Sequence, residues 1–432
     1  MLPRQALLRL PSLQGKAFYD RLFTPLVVLW YVIQQRLNSD HTLAAVMADA
    51  KNGGAHRLNR KLAKGLRSAA TASYSDARQR LPWQFFQEAL VLQGRKLTSL
   101  SASALWHGYV VALLDGSTVR LRPYPGMAKA FPPQRHKNRN PAYWCLTRVL
   151  VAVCGHTGAA LGSLLGSMHL SEQAMACQLI IESAAKCLFI GDRNFGVFRV
   201  VQSAHHAGQQ VLLRLTESRA RKLLGRPLAL GQHTVQWAPS RKDQLQKGCS
   251  TEPVAGRLLV ASVRRKGYRP IRLYLFTTLP DTADYSLEKL VQLYGLRWHI
   301  ELDLRYLKAQ MDLAQLEAKS PDMVRKEWLA GLLAYNLVRG AQLCAALQAQ
   351  IPPLEISFSH ARRYLEHWLA HLGAGEAQLE KRWAATLKYI SCCRHPKRRK
   401  QRPNEPRKQR HLRMPFPPLW GSRAQARKNL NK

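Results

Sequence analysis

The sequence predicts an α/β protein, with helices at both ends and strands between them. Three observations carry this expectation. Apolar residues recur at helical spacing through about the first hundred residues, and again from Tyr285 onward. Between these regions, short apolar or alternating runs end at Gly, Asp and Ser, the pattern of strands in a layered core. Hydrophobic residues make up 46% of the 432 positions, ample for a sizeable core and consistent with more than one domain.

Residues 1–100 read as helical. Apolar positions run from Ala17 to Ile33, and Asp40 or Ser39 can cap a second helix near Thr42, broken at Asn52-Gly53-Gly54. The basic segment that follows, with His56, Arg57, Arg60, Lys61, Lys64 and Arg67, is either a solvated face or a helix that docks on DNA. Tyr109–Leu114 is an apolar run of strand length ending at Asp115-Gly116-Ser117, and Thr118–Arg122 alternates like a second strand. A loop rich in Pro and basic residues contains His136, Lys137 and Arg139. Trp144–Val153 forms another strand, Ser171 and Glu172 open a helix, Lys186–Ile190 is a buried-type strand ending at Gly191-Asp192-Arg193, and Gln210–Leu215 is a further strand. Residues 216–282 read as a β-rich insertion, and residues 283–375 as mainly helical. The segment 376–432 is expected to be a basic, disordered tail.

Charge narrows the function. There are 66 Lys and Arg against 26 Asp and Glu, a net charge of +40, so the chain needs a polyanionic partner. Nucleic acid is the first candidate and a membrane surface the second. The longest nearly apolar run, Pro25–Ile33, is too short to span a bilayer, which takes about 20 residues. With no signal-peptide pattern, the expected location is the cytoplasm. No cysteine pair is spaced as CxxC, and Cys392-Cys393-Arg394-His395 alone makes a poor zinc site.

The chemistry centres on three carboxylates. Asp115 and Asp192 each end a short apolar strand, where ligands of open α/β sheets bind. Either alone is commonly a turn cap; together they can converge. In Tyr294–Lys308, a spacing of 100° per residue puts Tyr294, Arg297, Glu301, Arg305 and Lys308 within an arc of roughly 80°. That face is either a ladder of ordinary ion pairs or a metal ligand among phosphate-binding cations. Three carboxylates suit Mg²⁺, and two such ions can activate one oxygen and stabilise another without a protein nucleophile. There is no GxSxG and no phosphate-binding GxxxxGK[ST] loop.

Tyr294, Arg297, Glu301 and Lys308 fit a Tyr-x2-Arg-x3-Glu-x6-Lys spacing without a gap. With Asp115 in Leu-Leu-Asp-Gly-Ser-Thr and Asp192 in Ile-Gly-Asp-Arg-Asn-Phe-Gly, the chain resembles the DDE transposases of bacterial insertion sequences that carry this signature. Tyr74–Arg78, Pro321–Glu327 and Tyr335–Arg339 extend the likeness over roughly residues 20–375. The resemblance implies an RNase H-like catalytic core at 101–215 and 283–375, interrupted by the insertion, with a helical N-terminal DNA-binding region and a helical C-terminal region. It implies two Mg²⁺ ions, for which Mn²⁺ can substitute, with Asp115 bridging both and Asp192 and Glu301 each holding one. Arg297 and Lys308 would grip phosphate with Tyr294 beside them. Arg193 would add a phosphate contact or form a structural ion pair. Trp298 would stack on a base or, more simply, pack in the core. Lys137 and Arg139 would track the DNA backbone. The implied partners are terminal inverted repeats, target DNA and a second copy of the chain, met at the bacterial nucleoid rather than at a membrane. A silent DNA-binding regulator and a related nuclease or resolvase remain the alternatives. Leu304 stands where the family often has Phe.

Overall fold

The computed structural model describes residues 2–16, 18, 21–38, 40–101, 105–135, 141–225, 227–245, 248–263, 270–372, 376–396, 422, 424 and 425. Residues Met1–Arg264 and Pro270–His395 form one compact unit; a second, Arg265–Arg269 with Pro396–Lys432, falls almost wholly outside the described residues, as do His136, Lys137 and Arg139.

The chain opens with helices α1 (Arg4–Leu8), α2 (Pro25–Leu37), α3 (Leu43–Lys51), α4 (Ala72–Arg80) and α5 (Trp83–Ser99). Helix α2 starts on Pro25, whose fixed φ suits a first helical position. Thr42 caps α3 by accepting a bond from the Ala45 amide. The basic segment does not form a long helix. It makes turns and one short 3-10 helix, Arg60–Lys64, which Asn59 caps and Gly65 ends at φ +70°.

Strands β1 (Leu105–Trp106) and β2 (Tyr109–Leu121) form a hairpin. Its two-residue loop, His107-Gly108, has φ of 47° and 81°, the positive pair that matches strand twist. Contrary to expectation, β2 is one strand through Asp115-Gly116-Ser117. The reason is its partner: after α6 (Met127–Ala130) and β3 (Pro133–Arg135), the long antiparallel β4 (Pro141–Cys154) pairs Asp115 with Val151, Gly116 with Leu150 and Ser117 with Val149. Then follow β5 (Ala160–Ser167), α7 (Glu172–Ile181), β6 (Cys187–Gly191), α8 (Phe198–His206), β7 (Gln210–Arg214) and α9 (Glu217–Leu224). The expected insertion contains β8 (Gly231–Trp237), α10 (Arg241–Gln244), β9 (Val254–Val263) and β10 (Ile271–Thr277). These strands continue the main sheet, because β10 pairs antiparallel with β7.

The chain returns through α11 (Leu287–Tyr294), a 3-10 turn at Gly295–Arg297, α12 (Trp298–Ala309), β11 (Gln315–Leu316), α13 (Pro321–Ala349), α14 (Phe358–Leu369) and α15 (Glu376–Cys392). Helix α15 carries helical structure past the boundary expected at residue 375. Among the described residues the sheet order is β3-β4-β2-β6-β7-β10-β9-β8, with β5 also on β4 and β1 and β11 on β2. Strands β2, β6 and β7 are parallel; β4 and β5 alternate direction with β2.

Strand alternation builds two apolar cores. Val111, Leu113, Val151, Leu188 and Ile190 point to the front, where they join residues of α2, α5, α12 and α13. Val110, Ala112, Leu114, Leu150 and Phe189 point to the rear and meet α7 and α8. The N-terminal helices share the front core with α13, reinforced by an Arg36–Glu327 ion pair of 2.9 Å.

Candidate active site

The first two carboxylates are brought together by strand register. In the parallel β2–β6 pair, Val110 lies opposite Cys187 and Leu113 opposite Ile190. Two residues further on, the same register sets Asp115 against Asp192, just past the carboxyl end of β6. Alternation sends both to the front face. The Asp115 carboxylate accepts a bond from the Gly116 amide at 2.9 Å, and that of Asp192 accepts one from the Asn194 amide at 2.8 Å. These bonds satisfy part of each anion and fix its direction.

The third carboxylate comes from the helices. The Tyr294–Lys308 stretch is not one uniform helix: the 3-10 turn at Gly295–Arg297 joins α11 to α12. Tyr294 ends α11 and is buried. Arg297 donates to Glu301 at 2.7 Å, with side chains 12% and 41% exposed. One part of the ion-pair ladder is therefore present. Arg305 is exposed, and Lys308 is half-buried.

The inward face of α12 holds a charge that the reading by family signature had passed over. Ile300, Leu304 and Leu307 are buried, and Asp303 shares their stripe at i, i+3, i+4, i+7 spacing. A carboxylate there needs a cation, and Arg339 of α13 provides it through a buried ion pair. The Tyr335 hydroxyl bonds to Asp303 at 3.0 Å and to the Gly158 carbonyl at 2.8 Å, while the Arg339 Nε donates to Tyr335 at 2.8 Å. This network ties α12 to α13 and to the β4–β5 turn, two residues from Glu301.

Electrostatics bind the halves. Burial pushes the Asp115 carboxyl up to about 6; Asp192 and Glu301 add to the rise, while the Gly116 amide and Arg297 oppose it. Burial alone would depress Arg297, but the hydrogen bond to Glu301 and the charges of Tyr294, Glu301 and Asp115 raise it. Burial likewise raises Tyr294, with Arg297 and Arg214 pulling back. Lys308 is lowered by burial and by Arg120, a second cation on β2. The site thus sets Asp115, repelled by Asp192 and Glu301, beside a row of cations. Among the described residues, no three acidic, His or Cys side chains stand close enough to hold a metal ion as they are.

The remaining expected residues scatter. Trp298 is 65% exposed and not in the core; the Arg297 guanidinium lies over its ring at 5.3 Å from the centroid. Its position on α12 turns it away from the buried stripe. Arg193 is exposed and has no ion-pair partner among the described residues. Sequence reasoning also missed Glu172, read only as a helix opener, although an acidic residue directly after a Ser cap was visible. No helix among the described residues is long and apolar enough to cross a membrane.

The family model described as Transposase DDE domain matches residues 106–337, a span holding Asp115, Asp192 and Glu301. Transposase InsG for insertion sequence element IS4, from Escherichia coli (strain K12), is 25% identical over 340 residues, covering 78% of this chain and 74% of that protein. Putative transposase InsL for insertion sequence element IS186A, from the same organism, is 41% identical over 64 residues, 15% of this chain and 17% of that protein. A structure of a piggyBac transposase synaptic complex with hairpin DNA aligns with 90% of this chain and 80% of its own at a TM-score of 0.37 and 9% identity.

Proposed function

Because the chain belongs to the DDE transposases of bacterial insertion sequences, we propose that Asp115, Asp192 and Glu301 are its catalytic carboxylates. On this reading it is an enzyme that cuts and joins the terminal inverted repeats of its element, as a homodimer on DNA at the nucleoid. The observation that carries the reading is the β2–β6 register that sets Asp115 against Asp192, with Glu301 of α12 near enough to add, after burial and Asp192, to the rise of the Asp115 carboxyl to about 6. The strand order β5-β4-β2-β6-β7, with the last three parallel, supports an RNase H-like core.

The donor set fits divalent metal. Three carboxylates supply hard oxygen ligands, and the burial of Asp115 and its repulsion by the other two are costs that a cation relieves. Asp115, central among them, would serve both Mg²⁺ ions, with Asp192 and Glu301 holding one each. When bound, the ions would activate the attacking oxygen and stabilise the leaving one. Glu301 is now shared with Arg297, so taking up metal means loosening that ion pair. Arg297, released, can present its planar fork to a phosphate oxygen, and Lys308 can act as a point charge nearby. Tyr294 bounds the same wall. Arg193, exposed beside Asp192, is free to meet the DNA backbone. Trp298 offers an exposed ring on which an unpaired base can stack.

Incubation with Mg²⁺ and linear DNA carrying the ends of the chain's own element tests this. Wild type should cleave and join, while Asp115→Asn and Glu301→Gln should bind the ends without cutting. Cleavage by either variant would remove that residue from the catalytic set. Binding without any cutting by wild type would favour a regulator, and cutting without joined product a nuclease or resolvase.

A further inference from the structure

Behind the sheet, directly opposite the Asp115 carboxylate, lies a fourth acidic residue. Glu172 is the first residue of α7, after the Ser171 cap, where the helix N-terminus favours a negative charge. Helix α7 packs on the rear core. Alternation along β2 sends Asp115 forward and Gly116 to the rear. A Cβ at Gly116 would lie 2.6 Å from the Glu172 Cδ and 2.7 Å from its Oε1, so the carboxylate rests on the bare backbone of the residue after Asp115.

The other oxygen reaches the second strand end. Glu172 Oε2 accepts a bond from Asn194 Nδ2 at 2.5 Å, and the Asn194 amide is the group that donates to Asp192. Gln173 Nε2 adds a bond to the Asn194 carbonyl at 2.9 Å. Arg148, 3.8 Å from Glu172 Oε1, balances its charge. One rear carboxylate therefore touches the Asp115 strand and holds the turn that orients Asp192.

We infer that Glu172 is a positioning residue that braces the Asp192 turn against the Asp115 strand from the rear of the sheet, with Gly116 required to leave it room. The inference rests on the reading of Asp115 and Asp192 as the catalytic pair. Glu172 is assigned no contact with metal or DNA: its Oε2 accepts from Asn194 and its Oε1 lies against Gly116 and Arg148. Its effect is on the separation and aim of the two front carboxylates. Partners of metal ligands in this role alter affinity or activity by about 10–100-fold when removed.

Two measurements on the full chain test the brace. The first is hydrogen exchange of residues 192–196 without metal or DNA; the second is the Mg²⁺ concentration for half-maximal cleavage of the element's ends. Glu172→Ala should speed exchange in that turn and raise the Mg²⁺ requirement about tenfold. Glu172→Gln keeps an oxygen for Asn194 and should behave like wild type in both. Gly116→Ala should imitate Glu172→Ala in both readouts, because its Cβ would push the Glu172 side chain aside. If Glu172→Ala does not fold, Asn194→Ala cuts the same link from the other end and should give the same two changes. Unaltered exchange, or an unaltered Mg²⁺ requirement, overturns the inference. So does a Glu172→Gln variant as impaired as Glu172→Ala, which would mean the charge acts rather than the brace. Asp115→Asn in the same assay separates the two levels. If it is inactive while Glu172→Ala is normal, only the brace fails; if it still cleaves, the site reading fails.

Discussion

Asp115 and Asp192 owe their relation to a backbone ladder, whereas Glu301 owes its place to side chains. Two parallel strands in continuous register leave the first pair little freedom beyond the turn after β6. Glu301 stands on a helix entered through a 3-10 turn, is held outward by Arg297 and anchored inward by the Asp303–Arg339 pair. The difference teaches where adjustment resides. The strand half is fixed by the ladder; the helix half is held by side-chain ion pairs, one partly exposed and one buried.

The largest effect should come from the anchor. Arg339→Met leaves Asp303 buried without its cation and should cost about 3–5 kcal/mol in chemical denaturation. Asp303→Leu combined with Arg339→Met should recover most of that loss. If the single variant costs little, α12 is held by apolar contacts alone and the contrast between the halves collapses.

The platform should respond with the opposite sign. The Asp115 carboxyl is raised to about 6, above its ordinary value of 3.8. Its contribution to metal-free stability is therefore fully present below about pH 4 and lost as pH rises through about 6. Asp115→Asn should stabilise the metal-free protein at pH 8 by about 1–2 kcal/mol after allowance for solvent screening. Thermal melts across pH should show this advantage fading between about pH 6 and pH 4. A pH-independent difference would mean that the buried Asp115 charge is not its source.

Smaller changes are expected on the outer face of α12. Arg297→Ala removes a partly exposed i, i+4 pair and should shift stability by about 0.5 kcal/mol or less, while weakening binding of end DNA. Trp298→Ala should leave stability within about 0.5 kcal/mol, because most of the ring is in solvent. Gel-shift titration with DNA carrying an unpaired base then asks whether the ring stacks. A large loss of stability in either variant would show the outer face to be structural.

These contrasts explain what could be read in advance. The three carboxylates were legible because each sits in a short local pattern: an apolar run ending in Asp, or a helical face of fixed spacing. The continuity of β2 was not, since Asp-Gly-Ser reads as a turn until β4 supplies a ladder across it. Strand β5, with Gly162 and Gly166 inside it, gave no strand signal and exists because β4 has a free edge. Asp303 announced a buried charge by its position in an apolar stripe, but its partner stands on another helix. Glu172 belongs to the same class: its contacts with Gly116 and Asn194 arise only when α7 lies against the sheet. Trp298 misled because aromatic bulk usually means core, and the helix here turns it outward.

The Asp303–Arg339 pair also sets an order of events during synthesis. A ribosome delivers Asp115, Asp192 and Glu301 before Arg339, and domains organise as their partners emerge. A product ending between Glu301 and Arg339 would carry every carboxylate yet lack the cation that seats α12. A gene can therefore keep every residue of the signature while its product lacks the cation that pairs with Asp303.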